Sequence, residues 1–277
     1  MDLPLKCARE WDVDGLGHAY WEAGCPAGDA REEYYRKRAA CYRLVVDALQ
    51  TFNQQYQAVI HGPDRIIADE LRVLTETAYG LALSSTDDAF HAFLYDSMIA
   101  SGQKDDLVQV RFLCRYNNRG VRADLFVQLN SPFIEGYLSR TPITLERAEL
   151  LHLLYVRLRQ YLRAAETCAA LAESQDFEQS LERRTQLFTF AVNYAKSHPS
   201  SELGRHEAAV EFLSDLEEKL EVAQVQVEVY HELYSRLSSG SFTDRQALER
   251  LNRTLLNISE VGFCCGSLLL SSFLTHL

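Results

Sequence analysis

Apolar residues recur at alternating steps of three and four along most of this 277-residue chain, which is the spacing of one face of an α-helix. Glycine and proline interrupt helices, and the chain contains only 13 of the first and 6 of the second. The sequence therefore predicts an all-α fold with no sheet of consequence. The predicted helices span 14–24, 29–57, 65–83, 87–100, 131–138, 145–160, 161–173, 180–196, 205–237 and 243–258.

Threonines stand at the start of two of these helices. Thr86 and Thr144 are predicted to be N-caps, whose side chains accept from the backbone of the first turn. Residues 150–156, in the helix after Thr144, are apolar almost all round, so we expect that helix to be covered on several sides. In the next helix, small residues at helical spacing should let two helix backbones approach closely. These small residues are Ala164, Ala165, Ala169, Ala170 and Ala172.

The longest predicted helix, 205–237, carries two apolar stripes that lie about 120° apart on its surface. A two-stranded coiled coil buries only one such stripe. We therefore expect burial on two faces, with Leu216 and Val222 both losing most of their accessible surface, in an irregular α-solenoid of stacked antiparallel helical hairpins. One stripe is Leu213, Leu216, Leu220, Ala223, Val227, Tyr230, Tyr234 and Leu237, and the other is Val222, Val225, Val229 and Leu233.

The formal net charge of the chain is −11 at pH 7. Phosphate binding requires clustered Lys and Arg, so this acidic surplus argues against nucleic acid as a direct partner. It argues equally against a polybasic membrane-binding surface. We therefore expect neither nucleic-acid binding nor membrane contact.

The cysteines are odd in number, widely spaced and include no CxxC pair, which argues against a disulfide framework or a zinc site. We interpret them as free, buried thiols in a reducing compartment. The N-terminal sequence also lacks the apolar segment of a secretory signal. The seven cysteines are Cys7, Cys25, Cys41, Cys114, Cys168, Cys264 and Cys265.

One acidic pair resembles part of a magnesium site. Asp87 and Asp88 begin like the DDxxD motif of all-helical isoprenoid synthases, but His91 replaces the final carboxylate and no second acidic cluster pairs with the motif. Acidic residues at the start of a helix are explained by the helix dipole alone. We favour that interpretation and keep a metal site as the alternative.

Other motifs of catalysis or phosphate binding are incomplete. His231 and Glu232 begin a zinc-protease HExxH motif, but Ser235 replaces the second histidine. Gly15 and Gly17 lack the flanking strand and the remaining glycine of a dinucleotide-binding loop. We therefore predict no catalytic residue, no cofactor and no metal, and the sequence does not identify the partner-binding residues.

Two segments break the helical pattern. Residues 110–121 (VRFLCRYNNRGV) are basic and unpatterned, and 261–277 (VGFCCGSLLLSSFLTHL) are apolar without a charged residue. The second segment is at the short limit for a membrane span, so a tail anchor is one interpretation. We prefer the hypothesis that both are translated intron, since each begins at a valine, whose codons begin with GT as introns do. Genomic DNA and transcript reads test it.

Several segments, in order and spacing, resemble the C-terminal solenoid of the non-repetitive (WGA-negative) nucleoporins. The closest branch is the large inner-ring scaffold nucleoporin of the one-fifty-five-kilodalton type, and SPFIEGYL at 131–138 is the strongest segment. The resemblance covers most of residues 3–260. The other segments are CAREWD at 7–12, YWEAGCP at 20–26, DAFHAFLYD at 88–96, YLRAA at 161–165, SLERR at 180–184, FL at 212–213 and DLEEKLEVA at 215–223.

The resemblance implies a structural scaffold of the inner ring of the nuclear pore complex, located at the nuclear envelope and supporting nucleocytoplasmic transport. It implies that the partners are other nucleoporins, including linker-type peptide motifs and inner-ring scaffold proteins. Residues 1–260 would form the solenoid, with 110–121 as an aberrant insertion and 261–277 as an atypical tail. Since family members carry an N-terminal β-propeller and further helices, we interpret the chain as a fragment. The alternatives are a vesicle-coat or proteasome-lid type of solenoid and, from another class, an all-α metal-dependent enzyme.

Overall fold

The computed structural model describes residues 2–59, 65–102, 132–198, 206–239, 245–257 and 259–260. In these ranges the chain forms helices and turns without a β-strand, which confirms the all-α prediction. The helices are α1 (Asp2–Glu10), α2 (Leu16–Glu22), α3 (Glu32–Val59), α4 (Arg65–Leu83), α5 (Asp88–Ala100), α6 (Pro132–Leu138), α7 (Leu145–Arg157), α8 (Tyr161–Glu173), α9 (Leu181–Ser197), α10 (His206–Ser238) and α11 (Arg245–Arg253). Segments 110–121 and 261–277 lie outside the described residues.

The predicted boundaries agree with the structure for α4 and α8 and lie within a few residues for most other helices. Helix α1 was not predicted. Helix α11 is shorter than predicted, because the buried side chain of Gln226 forms hydrogen bonds with backbone groups at the C-terminal end of α11. The Gln226 amide donates to the carbonyl oxygens of Leu251 (2.8 Å) and Thr254 (2.6 Å), and its oxygen accepts from the Leu256 N–H (2.9 Å). These bonds replace a further helical turn.

The N-cap predictions had different outcomes. Thr144 caps α7, since its hydroxyl accepts from the N–H of Arg147 at 3.3 Å. Thr86 was the wrong residue for α5, whose N-cap is Asp87. Asp87 has the extended backbone of a cap, and its carboxylate accepts from the Phe90 N–H at 3.2 Å. The carboxylate therefore satisfies an orphan N–H of the first turn.

The chain divides into two compact units, Met1–Arg140 and Thr141–Leu277. In the first unit α3 is central and contacts α1, α2, α4 and α5, while α6 packs on α5. Helix α2 crosses α3 closely at Gly17, where a Cβ would lie 2.8 Å from the backbone nitrogen of Tyr35. Gly17 is thus explained by helix packing, and the phosphate-loop interpretation has no support at this position.

In the second unit each helix from α7 to α11 packs on the next, and α9 also contacts α11. Arg184 of α9 closes the end of α8, because its guanidinium donates to the carbonyl oxygens of Ala172 (2.5 Å) and Ser174 (2.8 Å). The core between α7 and α10 consists of small and aliphatic residues around one phenylalanine. Its buried members are Ala148, Ala165, Cys168, Ala169, Leu171, Ala172, Leu187, Phe188, Ala191, Val192, Leu216 and Ala223.

The alanine prediction for α8 holds at four of the five positions. Ala164, Ala165, Ala169 and Ala172 are buried, whereas Ala170 is exposed. Residues 150–156 of α7 are also largely covered, with only one of them, a leucine, in the exposed class. Both helices therefore lie between neighbours, as the sequence indicated.

The prediction of two buried faces on α10 was wrong at Val225, which is 42% exposed. Leu216 is fully buried and Val222 is largely buried, as predicted. The buried positions of α10 are Leu216, Ala223, Gln226 and Val229, and the last of these belongs to the second stripe. The sequence pattern overestimated burial, because valine has no polar group that would distinguish a covered position from an open one.

We expect Leu216→Ala to lower the free energy of unfolding by about 2–5 kcal/mol, because it leaves a cavity at a site with no accessible surface. Val225→Ala is the matched control on the same helix and should cost less than about 1 kcal/mol. Urea unfolding followed by circular dichroism measures both. Equal effects of the two substitutions would contradict the burial pattern of α10.

Candidate functional site

An apolar groove crosses the first unit where α1, α3 and α4 meet, and it encloses a volume of about 390 Å³. Within it, Val45 and Ala78 form a buried floor, whereas Leu44, Leu74 and Leu81 are 63%, 48% and 47% exposed. A contiguous exposed apolar patch of this kind marks interaction surfaces in soluble proteins. The lining residues, which we call the apolar groove, are Pro4, Leu44, Val45, Ala48, Phe52, Leu74, Thr77, Ala78 and Leu81.

Two acidic residues lie beside the apolar groove. Asp47 follows Leu44 by three residues on α3, and Glu70 precedes Leu74 by four on α4, so each is a helix-surface neighbour of a groove leucine. Both acidic residues are exposed. Neither forms an ion pair with any other residue in the described ranges. The border of the groove therefore carries two acidic side chains, and Arg43, one turn before Asp47 on α3, is the cation nearest in sequence to Asp47.

A buried ion cluster joins the central helix α3 to the turn after α1 and to the start of α5. The guanidinium of Arg38 donates to Asp12 and to Asp87, both at 2.7 Å, and its Nε donates to the Tyr42 hydroxyl at 2.8 Å. That hydroxyl in turn donates to Asp87 at 2.7 Å. The side chains of Arg38, Asp12 and Asp87 are 6% exposed or less. We call Arg38, Asp12, Asp87 and Tyr42 the Arg38 cluster.

Burial and hydrogen bonding oppose each other in the Arg38 cluster. Burial raises the pKa of Asp12, but the N–H groups of Gly17 and His18 and the Arg38 guanidinium together hold this pKa below its usual value. Burial lowers the pKa of Arg38, and its bonds to Asp12, Asp87 and Tyr42 outweigh that effect and raise it. Asp12 and Arg38 therefore keep their charges, and Arg38 joins the turn after α1 to the start of α5.

Helix α2 is fixed at both ends. Its first N–H groups, from Gly17 and His18, donate to the Asp12 carboxylate at 2.8 and 3.0 Å. At its other end Arg140 stacks over the Trp21 ring, 3.8 Å from the centroid, and donates to the Trp21 carbonyl oxygen. Arg140 also donates to the carbonyl oxygen of Glu22 at 3.1 Å.

The residues of the incomplete magnesium motif do not share one site. Asp87 belongs to the Arg38 cluster, whereas Asp88 accepts from His18 Nε2 at 2.7 Å. His91 is buried: its Nε2 donates to the Ser85 carbonyl oxygen at 2.8 Å and its ring stacks on Phe133. A carbonyl only accepts, so Nε2 carries a proton, and burial lowers the pKa of His91. The helix-terminus interpretation of the acidic pair explains these positions.

The remaining motif residues are on the surface of α10. His231 lies 3.4 Å from Glu182, and Glu232 pairs with Arg236 at 2.8 Å. In the described part of the chain, no group of three His, Cys, Asp or Glu side chains has an arrangement that could hold a metal ion. Among those same residues, no helix is long and apolar enough to cross a membrane.

The four described cysteines are free, as predicted, but only two of them are buried. Cys41 and Cys168 are buried thiols, whereas Cys7 is half-buried and Cys25 is exposed. Burial raises the pKa of Cys168 to about 12, which keeps its thiol protonated and unreactive at neutral pH. Cys114, Cys264 and Cys265 lie outside the described residues.

The sequence did not identify the apolar groove, although α4 contains a signal for it. Ile67, Leu74 and Leu81 recur every seven residues, and Ala78 and Ala82 widen this apolar stripe toward the side buried against α3. An apolar stripe wider than the covered side of a helix indicates a second contact surface. No comparable signal in the sequence indicates the Arg38 cluster, because its two carboxylates, Asp12 and Asp87, are 26 and 49 residues from Arg38.

Residues 1–261 match the family model for the non-repetitive/WGA-negative nucleoporin C-terminal region. Nucleoporin NUP170 of Saccharomyces cerevisiae is 24% identical over 272 residues, covering 94% of this chain and 16% of that protein. The nuclear pore complex protein Nup154 of Drosophila melanogaster is 24% identical over 275 residues, covering 94% and 19%. The chain thus spans less than a fifth of each of these two relatives.

Solved structures give the same assignment of fold. A variant of the Nup170 C-terminal domain from Chaetomium thermophilum superimposes with a TM-score of 0.69 at 22% identity, covering 92% of this chain and 44% of that one. The complex of that C-terminal domain with Nup145N gives 0.67 at 23% identity, with the same coverage. The likeness confirms the predicted fold class, an irregular α-solenoid of stacked helical hairpins.

We expect Arg38→Met to destabilise the first unit by about 3–5 kcal/mol, because it leaves two buried carboxylates without their cation. Arg36→Met removes an exposed arginine two residues earlier, paired only with Glu32, and should change stability by less than about 1 kcal/mol. Hydrogen exchange of α3 and α5 amides measures the loss. Unchanged exchange in Arg38→Met would contradict the role given to the cluster.

Stability should fall as the pH drops below about 6.5, the ordinary pKa of histidine. Burial lowers the pKa values of His91 and His152, so the unfolded chain binds these protons more readily than the folded chain does. Urea midpoints at pH 7.5, 6.5 and 5.5 test this. His152→Phe should flatten the dependence, since His152 packs beside Phe190 and Tyr194, whereas His231→Phe on the surface should leave it unchanged.

Proposed function

Since this chain belongs to the non-repetitive/WGA-negative nucleoporin C-terminal family, we propose that it is a structural component of the inner ring of the nuclear pore complex. In this role it supports nucleocytoplasmic transport by binding other nucleoporins at the nuclear envelope. The observation that carries the proposal is the family match, which extends over residues 1–261. Residues 1–260 act as the scaffold domain.

The partners in this proposal are other nucleoporins, and linker-type peptide segments are the expected ligands. The C. thermophilum domain with the same fold was solved in complex with Nup145N. A stack of helical hairpins presents grooves between its helices. A groove of this kind can bind a peptide without catalysing a reaction. The chain in this role is a binder, and it needs neither cofactor nor metal.

The absence of catalysis is part of the proposal, and the electrostatics of the first unit support it. A catalytic carboxylate or histidine must face substrate with a tuned pKa. Asp12 and Asp87 are instead buried against Arg38, and His91 is enclosed by Ser85 and Phe133. Their perturbed environments serve the packing of α3 and α5.

The test is affinity purification from nuclear-envelope extract with the full 277-residue chain as bait. We expect several-fold enrichment of inner-ring and linker nucleoporins over the Arg38→Met variant, in which the destabilised first unit no longer presents its folded surface. Each enriched nucleoporin is then tested for direct binding as a purified protein. A chain that melts cooperatively as a helical protein yet enriches no nucleoporin would contradict the proposal.

A further inference from the structure

We propose that the apolar groove between α3 and α4 is the docking site for a basic amphipathic helix supplied by a partner protein. This deepens the proposed scaffold function and rests on it. The occupant is defined by its chemistry: one face of leucine-like side chains at helical spacing, flanked by lysine or arginine.

The first argument is the exposure of the groove leucines. Leu44, Leu74 and Leu81 are each about half exposed or more, although they surround one concave surface with a buried floor. The volume of about 390 Å³ is that of a ligand pocket and accommodates a few apolar side chains. Removal of such an apolar surface from water lowers the free energy. This hydrophobic effect is the driving force when a helix binds in a groove.

The second argument is the spacing of the anchors. Leu74 and Leu81 are seven residues apart on α4, which places them two turns or about 10 Å apart along its axis. On α3, Leu44, Ala48 and Phe52 line the opposite wall at steps of four. A ligand helix with apolar residues at i, i+4, i+7 and i+11 matches both walls, because its own stripe has the same period.

The third argument is the sign of the charge at the groove border. Asp47 is the only charged residue on α3 from Leu44 to its end, and Glu70 is on the groove side of α4. The one arginine in the middle of α4, Arg72, is neutralised by Glu76 at 2.8 Å and lies near Asp69. The groove therefore presents carboxylates without a competing cation from these segments.

The cations nearest in sequence lie away from the groove-lining residues, although Arg43 is one turn before Asp47 on the same face of α3. At about 100° per residue, Arg65 is half a turn from Leu74, Arg43 is half a turn from Phe52, and Lys6 is about 200° from Pro4. A basic ligand is thus attracted at the border, while an acidic one meets Asp47 and Glu70.

The experiment uses the full chain and two synthetic 18-residue helical peptides with fluorescein labels. Both carry leucine at i, i+4, i+7 and i+11, and their polar faces contain lysine in one peptide and glutamate in the other. Fluorescence anisotropy measures binding. We expect the lysine peptide to bind and the glutamate peptide to bind at least about tenfold more weakly.

Matched substitutions locate the site. Leu81→Glu should weaken binding of the lysine peptide about tenfold or more, since it charges an apolar anchor. Val73→Glu adds the same charge on the same helix, at a residue that is 52% exposed and lies outside the groove, and should change binding less than about twofold. Equal effects of the two substitutions overturn the proposal.

The border charges are tested in the same assay. Asp47→Asn combined with Glu70→Gln should weaken binding of the lysine peptide several-fold and reduce its salt dependence. Glu221→Gln combined with Glu228→Gln removes the same charge from exposed positions on α10 and is the control. Unchanged binding after loss of Asp47 and Glu70, or no binding of the lysine peptide to the unmodified chain, also overturns the proposal.

Two further outcomes identify other occupants or separate the two proposals. If sedimentation shows a dimer that Leu81→Glu dissociates, the occupant is a second copy of this chain and the proposal fails. If Leu81→Glu captures nucleoporins as well as the unmodified chain does, the groove inference fails while the scaffold function stands. If the lysine peptide binds the groove but no nucleoporin is captured, the scaffold function fails and the groove remains a peptide site.

Discussion

The first unit depends on one buried cation. Arg38 is on the central helix α3, and its guanidinium holds the turn after α1 through Asp12 and the N-terminus of α5 through Asp87. Each carboxylate also accepts hydrogen bonds from a helix N-terminus. Asp12 accepts from the first N–H groups of α2, and Asp87 caps α5. Burying three charges is costly, and the cost is offset here by the ion pairs and by the hydrogen bonds that Arg38 donates to Asp12, Asp87 and Tyr42. The turn after α1, helix α2 and helix α5 are thereby fixed relative to α3.

The apolar groove involves the same central helix. It is lined by residues of α1, α3 and α4, and Val45 on its floor is two turns from Arg38 on the same face of α3. A groove with a buried floor loses less conformational entropy when a ligand binds. The exposed leucines of α4 are compatible with a well-packed unit, because Ala78 and Ala82 of the same helix are buried against α3.

The second unit is held together differently. Its core uses alanines and aliphatic residues between α7 and α10, and its buried polar groups close helix ends. Arg184 caps the C-terminus of α8 by donating to its last carbonyl oxygens. Gln226 ends α11 with three hydrogen bonds. Arg184 lies on α9 and Gln226 on α10, so the hydrogen bonds at each helix end form only when a neighbouring helix has packed. This coupling is typical of stacked helical repeats, in which neighbours stabilise one another.

The sequence by itself determined the helical class, most helix positions, the Thr144 cap and the family, because these depend on local periodicity, capping chemistry and segment order. Tertiary structure decided which residues the helices bury. Val225 and Leu216 have similar apolar character in the sequence, yet Leu216 is fully buried and Val225 is 42% exposed. The Arg38 cluster joins residues up to 49 positions apart, and the groove is lined by residues of three helices, α1, α3 and α4. Contacts at such separations follow from the packing of whole helices, which no local pattern specifies.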